Sequence, residues 1–309
     1  MIQAKVLDRQ LDKQLDTQLD KQLQASKNSH EVVIYYKFVN IDNPDQLRNK
    51  HWQMCNQLGL SGRVLIGAEG INGTLEGSPQ QNQKYINWVH SQEGFEDIVF
   101  KKSYSQGDSF PKLTVKARKE IVALGLPKSQ NYDPKKLTAK FLSAQELHQW
   151  LKQKRDFIIL DVRNDYEVKL GKFTDSVCLP GLKNFRDAPK LLPGLEYLKN
   201  KTILTVCTGG IRCERISGLL LQQGFKDVYQ LQDGIHAYMQ KYPNEDFLGK
   251  LYVFDKRMRI SFSDKSTLIS KCYYCSKPSD NIVDTYIEGK RVQEVCCQEC
   301  IRAGIVQLD

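Results

Sequence analysis

The sequence has no apolar run approaching the ~20 residues that a membrane-spanning helix needs, so neither a span nor a membrane partner is expected. Its opening stretch, "MIQAKVLDRQLDKQLD", lacks the apolar core of a signal peptide, which places the protein in the cytoplasm as an expectation. Histidine is scarce: His30, His51, His90, His148 and His236 are the full set, and none stands in a catalytic pattern. There is no facial triad for iron, no haem motif and no dinucleotide fingerprint. Taken alone, the residues give no sign of oxygen chemistry. Nor is charge of one sign concentrated: 45 Lys and Arg against 36 Asp and Glu give a net +9, spread along the chain without a basic tail.

What is present fits a soluble globular protein, with 40% hydrophobic and 26% charged residues. A chain of 309 residues exceeds one ordinary core, so at least two domains are expected. Nine cysteines in a cytoplasmic chain point to metal or thiol chemistry rather than a disulfide framework.

Residues 1–30 contain the repeat "QLDKQLDTQLDKQL", with leucines at 11, 15, 19 and 23. Such a stripe drifts around a helix by about 40° per step. It reads as a low-complexity extension, with a partner helix as the other reading. Residues 31–124 read as β-α-β-β-α-β, a ferredoxin-like (acylphosphatase-like) α/β domain. Its helices are expected over 44–59 and 79–91, and its first hairpin turns at Glu69–Gly70. A polar, proline-containing linker is expected over 125–137. Over 138–246 strands alternate with helices, which indicates a parallel sheet covered on both faces. Ser143 and Glu146 form a capping-box pair there, and one helix is expected over 187–200. Residues 247–309 begin with the strand-like "GKLYVFDKRMRISF" and end in a cysteine-rich segment.

The stretch "TVCTGGIRCERISGLLLQQG" carries the chemistry. A buried strand ends at Cys207, and Gly209 and Gly210 let the chain curl so that successive N–H groups face inward. The free amides and dipole of the following helix complete an anion nest around the sulfur. The thiolate is then favoured, and so is a negatively charged adduct on it. Thr208, Gly209, Gly210, Ile211 and Arg212 form the loop, with Arg212 closing it or adding a fixed positive charge. The spacing Cys207 to Arg212 is C-x4-R, one residue shorter than a cysteine phosphatase requires, and Cys213 occupies the arginine's place. The smaller bowl suits a sulfane sulfur better than a phosphate. A nucleophilic thiolate here could add to an electron-poor pyrimidine carbon or carry a persulfide. Cys213 reads as an inward-packed cysteine, with a resolving thiol as the alternative.

The motifs "DVRNDYEVKLGKF" (161–173) and "CTGGIRCER" (207–215) resemble a rhodanese domain. Together with "GRVLIGAEGINGTL" (62–75) and "KLTVKARKEIVALG" (112–125), the chain is similar to the bacterial rhodanese-like tRNA uridine(34) hydroxylases over roughly residues 31 to 300. The resemblance implies a rhodanese-type parallel sheet, oxygen-dependent conversion of the wobble uridine of tRNA to 5-hydroxyuridine, molecular oxygen as co-substrate, and Cys207 as the essential cysteine. Asp161 and Arg163 match the rhodanese "D-x-R". "LQDGI" stands where "L-x-G-G-I" is expected, so Asp233 departs from the pattern.

Supporting residues are Asp161, Arg163 and Glu167; Arg163 and Glu167 either reach the rim of Cys207 or form an internal ion pair. Lys101, Lys102, Lys112, Lys116, Arg118 and Lys119 form a basic strip that could hold RNA phosphates or simply be a solvated sheet face. Cys272, Cys275, Cys297 and Cys300 give C-x2-C, 21 residues, then C-x2-C, near the spacing of a structural zinc ribbon. Cys296 could replace Cys297, and reduced or paired cysteines are the rival reading. Three functions follow: a hydroxylase acting on the tRNA anticodon region, a sulfurtransferase carrying a persulfide on Cys207, or a non-enzymatic tRNA-binding protein. No obligate protein partner is evident.

Overall fold

The computed structural model describes residues 30–127 and 129–308. The leucine repeat and the extension that contains it lie outside the described residues. The first unit runs β1 (His30–Phe38), α1 (Pro44–Gln57), β2 (Ser61–Gly67), β3 (Gly70–Gly77), α2 (Pro79–His90), β4 (Lys101–Ser105) and β5 (Leu113–Ala117). The sheet order is β4-β1-β3-β2-β5. The first four strands pair antiparallel in the ferredoxin-like order, and β5 adds a parallel edge beside β2. Local chemistry sets the helix starts. The Asn43 side chain accepts from the Gln46 N–H ahead of Pro44, and Ser78 and Gln81 cap each other reciprocally ahead of Pro79. Val33, Tyr35, Val64, Ile66, Ile71 and Leu75 point from the sheet onto Tyr85, Ile86 and Val89 of α2.

The second unit contains β6 (Lys140–Leu142), α3 (Ala144–Lys152), β7 (Ile158–Asp161), α4 (Asp165–Leu170), β8 (Gly171–Phe173), β9 (Val177–Cys178), α5 (Ala188–Leu191), β10 (Thr202–Val206), α6 (Ile211–Gln222), β11 (Asp227–Leu231) and α7 (Gly234–Lys241). Five strands form an all-parallel sheet in the order β6-β11-β10-β7-β9. Alternation divides its side chains. Leu160 and Ile203 face Ile216, Leu219 and Leu220 of α6. Ile159, Leu204 and Val206 face Leu147 of α3 and Ile235, Tyr238 and Met239 of α7. Each such side chain contributes about 2 kcal/mol by leaving water. The Ser143–Glu146 capping box forms as expected. The helix expected over 187–200 does not. Pro193 has no N–H with which to continue the ladder, so α5 is one turn set between 3-10 turns at Phe185–Asp187 and Leu192–Leu198.

The tail joins both units. Its β12 (Phe247–Gly249) pairs with β8, and the long strand expected after it is broken into β13 (Leu251–Tyr252) and β14 (Arg259–Ile260). A hairpin, β15 (Ile282–Ile287) with β16 (Lys290–Val295), and the short α8 (Gln298–Arg302) follow. Among the described residues no helix is long and apolar enough to cross a membrane.

The segment between the units is packed rather than free. Leu124 sits in the core against α6, and Tyr132 and Leu137 lie against Gly218. Arg215 of α6 is fully buried. It donates to Glu120 at 2.9 Å, Asn131 Oδ1 at 3.0 Å and the Tyr132 carbonyl at 3.4 Å, and lies 3.6 Å from Glu69. From the tail, Arg257 donates to Ser103 of β4 at 3.0 Å.

A Cβ at Gly218 would lie 2.4 Å from the Leu137 carbonyl oxygen. Helix propensity favours alanine there by about 1 kcal/mol, but the backbone clash costs more. Gly218→Ala is expected to destabilise the protein by about 2 kcal/mol in urea denaturation, and a neutral or stabilised variant would contradict this packing.

Candidate active site

β10 delivers Cys207 to the carboxyl edge of the parallel sheet, and α6 opens at Ile211. Gly210, at φ +100°, turns its N–H onto the Cys207 sulfur at 3.2 Å. The Cys213 N–H donates to the Gly210 carbonyl at 2.9 Å, which brings the Cys213 amide and thiol up beside the same sulfur. From behind, the N–H groups of Ile235 and His236 donate to the carbonyls of Cys207 and Thr208 at 2.9 and 3.0 Å. Gly234 must be glycine: its φ is +72°, and a Cβ would stand 2.6 Å from the Cys207 carbonyl oxygen. Asp233, before it, takes a left-handed φ of 59°, which aspartate tolerates better than most residues. The departure from the rhodanese pattern therefore leaves the close-approach glycine in place.

Arg212 turns its fork onto Glu167, with contacts of 2.5 and 2.8 Å, and donates to the Thr208 hydroxyl at 3.1 Å. Thr208 in turn donates to Glu167 at 3.1 Å, and the whole cluster is buried. Arg163 pairs instead with Asp161, at 2.9 and 2.6 Å, and donates to the Gly171 carbonyl at 2.7 Å. Of the sequence-derived supporting residues, Glu167 thus closes the loop through Arg212, while Asp161 and Arg163 brace the end of β7 against β8.

Burial by itself would raise the Cys207 thiol. The Cys213 thiol, the Arg212 charge and the amides of Cys213 and Gly210 outweigh it and lower Cys207 to about 6. Burial, and then the charge it donates to, push Cys213 up. Cys207 is therefore the anion of the pair.

The first unit also reaches this site. Cys207 has no exposed surface. The Tyr36 hydroxyl of β1 lies 2.8 Å from where a Gly210 Cβ would stand, on the side of the loop where Glu214 opens α6. Lys101 of β4 is buried over the Tyr36 ring, 5.3 Å from its centroid, and 3.3 Å from Asp233. Burial lowers the Lys101 ammonium, opposed by Asp233. Burial also raises Glu214 to about 7, opposed by the Tyr36 hydrogen bond and reinforced by the Cys207 charge. Sequence reasoning missed Tyr36, Glu214 and Arg215, because their partners lie on another domain.

The basic strip is not contiguous. β4 and β5 are opposite edges of the sheet, about 19 Å apart at ~4.8 Å per strand. Lys101 is buried at the loop, and Lys102 pairs with Glu31 at 3.4 Å. Lys112, Lys116, Arg118 and Lys119 are exposed along the β5 edge.

In the tail, the sulfurs of Cys272, Cys275, Cys297 and Cys300 lie within 4.8 Å of one another. Tetrahedral thiolate coordination at ~2.3 Å requires sulfurs about 3.8 Å apart, so this donor set fits a metal ion. Cys296 is buried outside the cluster, and no disulfide joins the described cysteines.

Glu167→Gln leaves the buried Arg212 guanidinium without its counter-charge. A loss of about 3 kcal/mol of unfolding free energy is expected in urea denaturation; unchanged stability would contradict the closing role of the pair.

Family models match the chain in three blocks: a UPF0176 acylphosphatase like domain over residues 30–121, a Rhodanese-like domain over 143–241 and a Rhodanase C-terminal segment over 248–305. The chain is 40% identical over 277 residues to the tRNA uridine(34) hydroxylase of Bacillus licheniformis, covering 88% of this chain and 85% of that protein. It is 38% identical over 284 residues to that of Cytophaga hutchinsonii and 39% identical over 287 residues to that of Staphylococcus carnosus, covering 88% of this chain and 89% of each relative. A loop that holds an ionised cysteine, carried on this succession of domains and matched nearly end to end, assigns the chain to the tRNA uridine(34) hydroxylase family.

Proposed function

We propose that the protein hydroxylates the wobble uridine, position 34, of tRNA to 5-hydroxyuridine, with molecular oxygen as co-substrate and Cys207 as nucleophile. The observation that carries this reading is the near-full-length match to hydroxylases in a chain whose Cys207 is poised as a thiolate at neutral pH. Chemistry on a base requires it to leave its stack, and an anticodon loop presents unpaired bases. Lys112, Lys116, Arg118 and Lys119 are exposed along the β5 edge, and in this reading they hold phosphates of the flanking stem, a salt-sensitive contact. A sulfurtransferase reading keeps the match to the rhodanese-like domain, but gives the first unit no work at the loop it covers. Zinc would be held by Cys272, Cys275, Cys297 and Cys300, supplying a structural staple for the tail.

Nucleosides from cells lacking the protein should lose 5-hydroxyuridine and its derivatives at position 34. Wild type restores them and Cys207→Ala does not, as read by mass spectrometry. Unchanged nucleosides together with thiosulfate:cyanide transferase activity would favour the sulfurtransferase. Purified protein should carry about one zinc per chain by plasma mass spectrometry, with four cysteine ligands. Cys300→Ser should lose it and melt at lower temperature; metal-free wild type of equal melting temperature would overturn the zinc assignment.

A further inference from the structure

On the tail side of the active loop, two exposed aromatic rings line one cavity. The cavity is about 830 Å3 and lies between α4 and the β15–β16 hairpin. Tyr166 and Tyr252 also line it, with ring centroids 5.1 Å apart at 71°. The Tyr166 hydroxyl accepts from Asn164 and the Tyr252 hydroxyl donates to Gln293, each at 2.7 Å, so both rings are fixed. Phe254 meets the Tyr252 ring edge-on at 5.1 Å and is 47% exposed, and Tyr273 is 53% exposed. Scattered apolar side chains on a surface need no explanation, but two exposed rings on one cavity suit a ligand that stacks. Lys183 and Lys290 line the same cavity, and neither has an ion-pair partner among the described residues. Of the acids there, Glu294 is paired with Lys169 at 2.6 Å and Asp284 with Arg291 at 3.6 Å. Asp165 accepts from the Tyr166 N–H, and Glu288 stands in the hairpin turn. A second cavity of about 490 Å3 shares Asp165 and Lys169 with the first. It is lined by Lys172, Lys271 and Arg163, whose Nη1 has no hydrogen-bond partner among the described residues. The Arg212 guanidinium lies 5.5 Å from the centroid of the Phe254 ring, and Tyr166 directly precedes its partner Glu167. The cleft therefore runs up to the pair that closes the active loop.

We propose that this cleft binds unpaired nucleotides of the anticodon loop that neighbour position 34. Their bases stack on Phe254 and Tyr273, and their phosphates meet Lys183 and Lys290 in the first cavity and Lys172 and Lys271 in the second. Exposed rings beside unpaired cations are the combination that holds single-stranded nucleic acid, the rings taking base faces and the ammonium groups the backbone. A duplex keeps its bases stacked on one another and offers the rings no free face, so the occupant is an unpaired segment. The inference rests on the hydroxylase reading for the choice of RNA, and the meeting of cleft and active loop selects the neighbours of the wobble base. It gives the tail a share in substrate binding beside its cluster of cysteines.

The test measures, by fluorescence anisotropy, binding of the full chain to an anticodon stem-loop RNA and to the same stem carrying an abasic loop. The abasic loop keeps every phosphate and removes every stacking face. Wild type should bind the intact loop at least about 10-fold more tightly. Phe254→Ala and Tyr273→Ala should each lose most of that preference, and Phe254→Tyr and Tyr273→Phe should keep it. Zinc content and melting temperature, read on each variant, separate a lost ring from a lost fold. Lys183→Met and Lys290→Met should weaken binding to both RNAs and lower the salt slope of log Kd by about 0.7 each, the share of one phosphate on a single strand. A wild type that hydroxylates the intact loop in air but binds both RNAs equally would overturn the inference and leave the hydroxylase reading standing. Full preference for the intact loop in both alanine variants would overturn it in the same way. A wild type that hydroxylates no such RNA in air would overturn the reading beneath it.

Discussion

A negative charge on a sulfur without solvent contact must be stabilised by something other than water, and the fold around Cys207 is arranged to do that. Burial works against the thiolate by several kcal/mol in principle. It is opposed by two amides, one thiol and the Arg212 charge. None of these donors is free to wander: Gly210 is fixed by its positive φ, Cys213 by its place in the first turn of α6, and Arg212 by its fork on Glu167. The buried Arg212–Glu167 pair is therefore less a source of stability than of geometry. It closes the loop behind the sulfur and leaves the field of the guanidinium in place.

The same helix start is where the domains meet. Arg215 ties α6 to Glu69 and Glu120, Glu214 meets Tyr36, and Asp233 beside the loop holds Lys101. The first domain is thus part of the wall of the site. The left-handed Asp233 makes sense in this light: its small backbone strain is offset by the charge pair it offers to a buried lysine.

Local chemistry in the sequence made much of this legible. The Cys207–Gly210 curl, the Ser143 capping box, the alternating strands and helices, and the paired C-x2-C motifs all depend on neighbours a few residues apart, and the structure realises each of them. What was not legible depends on long-range placement. Lys101 and Lys116 look like one strip because β4 and β5 are consecutive in sequence, yet the crossover order sends them to opposite edges. The role of Arg215 needs Glu69 and Glu120 from another domain, and no spacing reports that. The helix expected over 187–200 failed for a local reason that was visible, the proline at 193.

Ionisation of Cys207 is the most direct measurement. The difference in thiolate absorbance at 240 nm between wild type and Cys207→Ser should show one step centred near pH 6, with the sulfur anionic at neutral pH. A step at or above the ordinary thiol range, about 8.5, would mean that the loop does not hold a charge, and the chemistry assigned to it would fall.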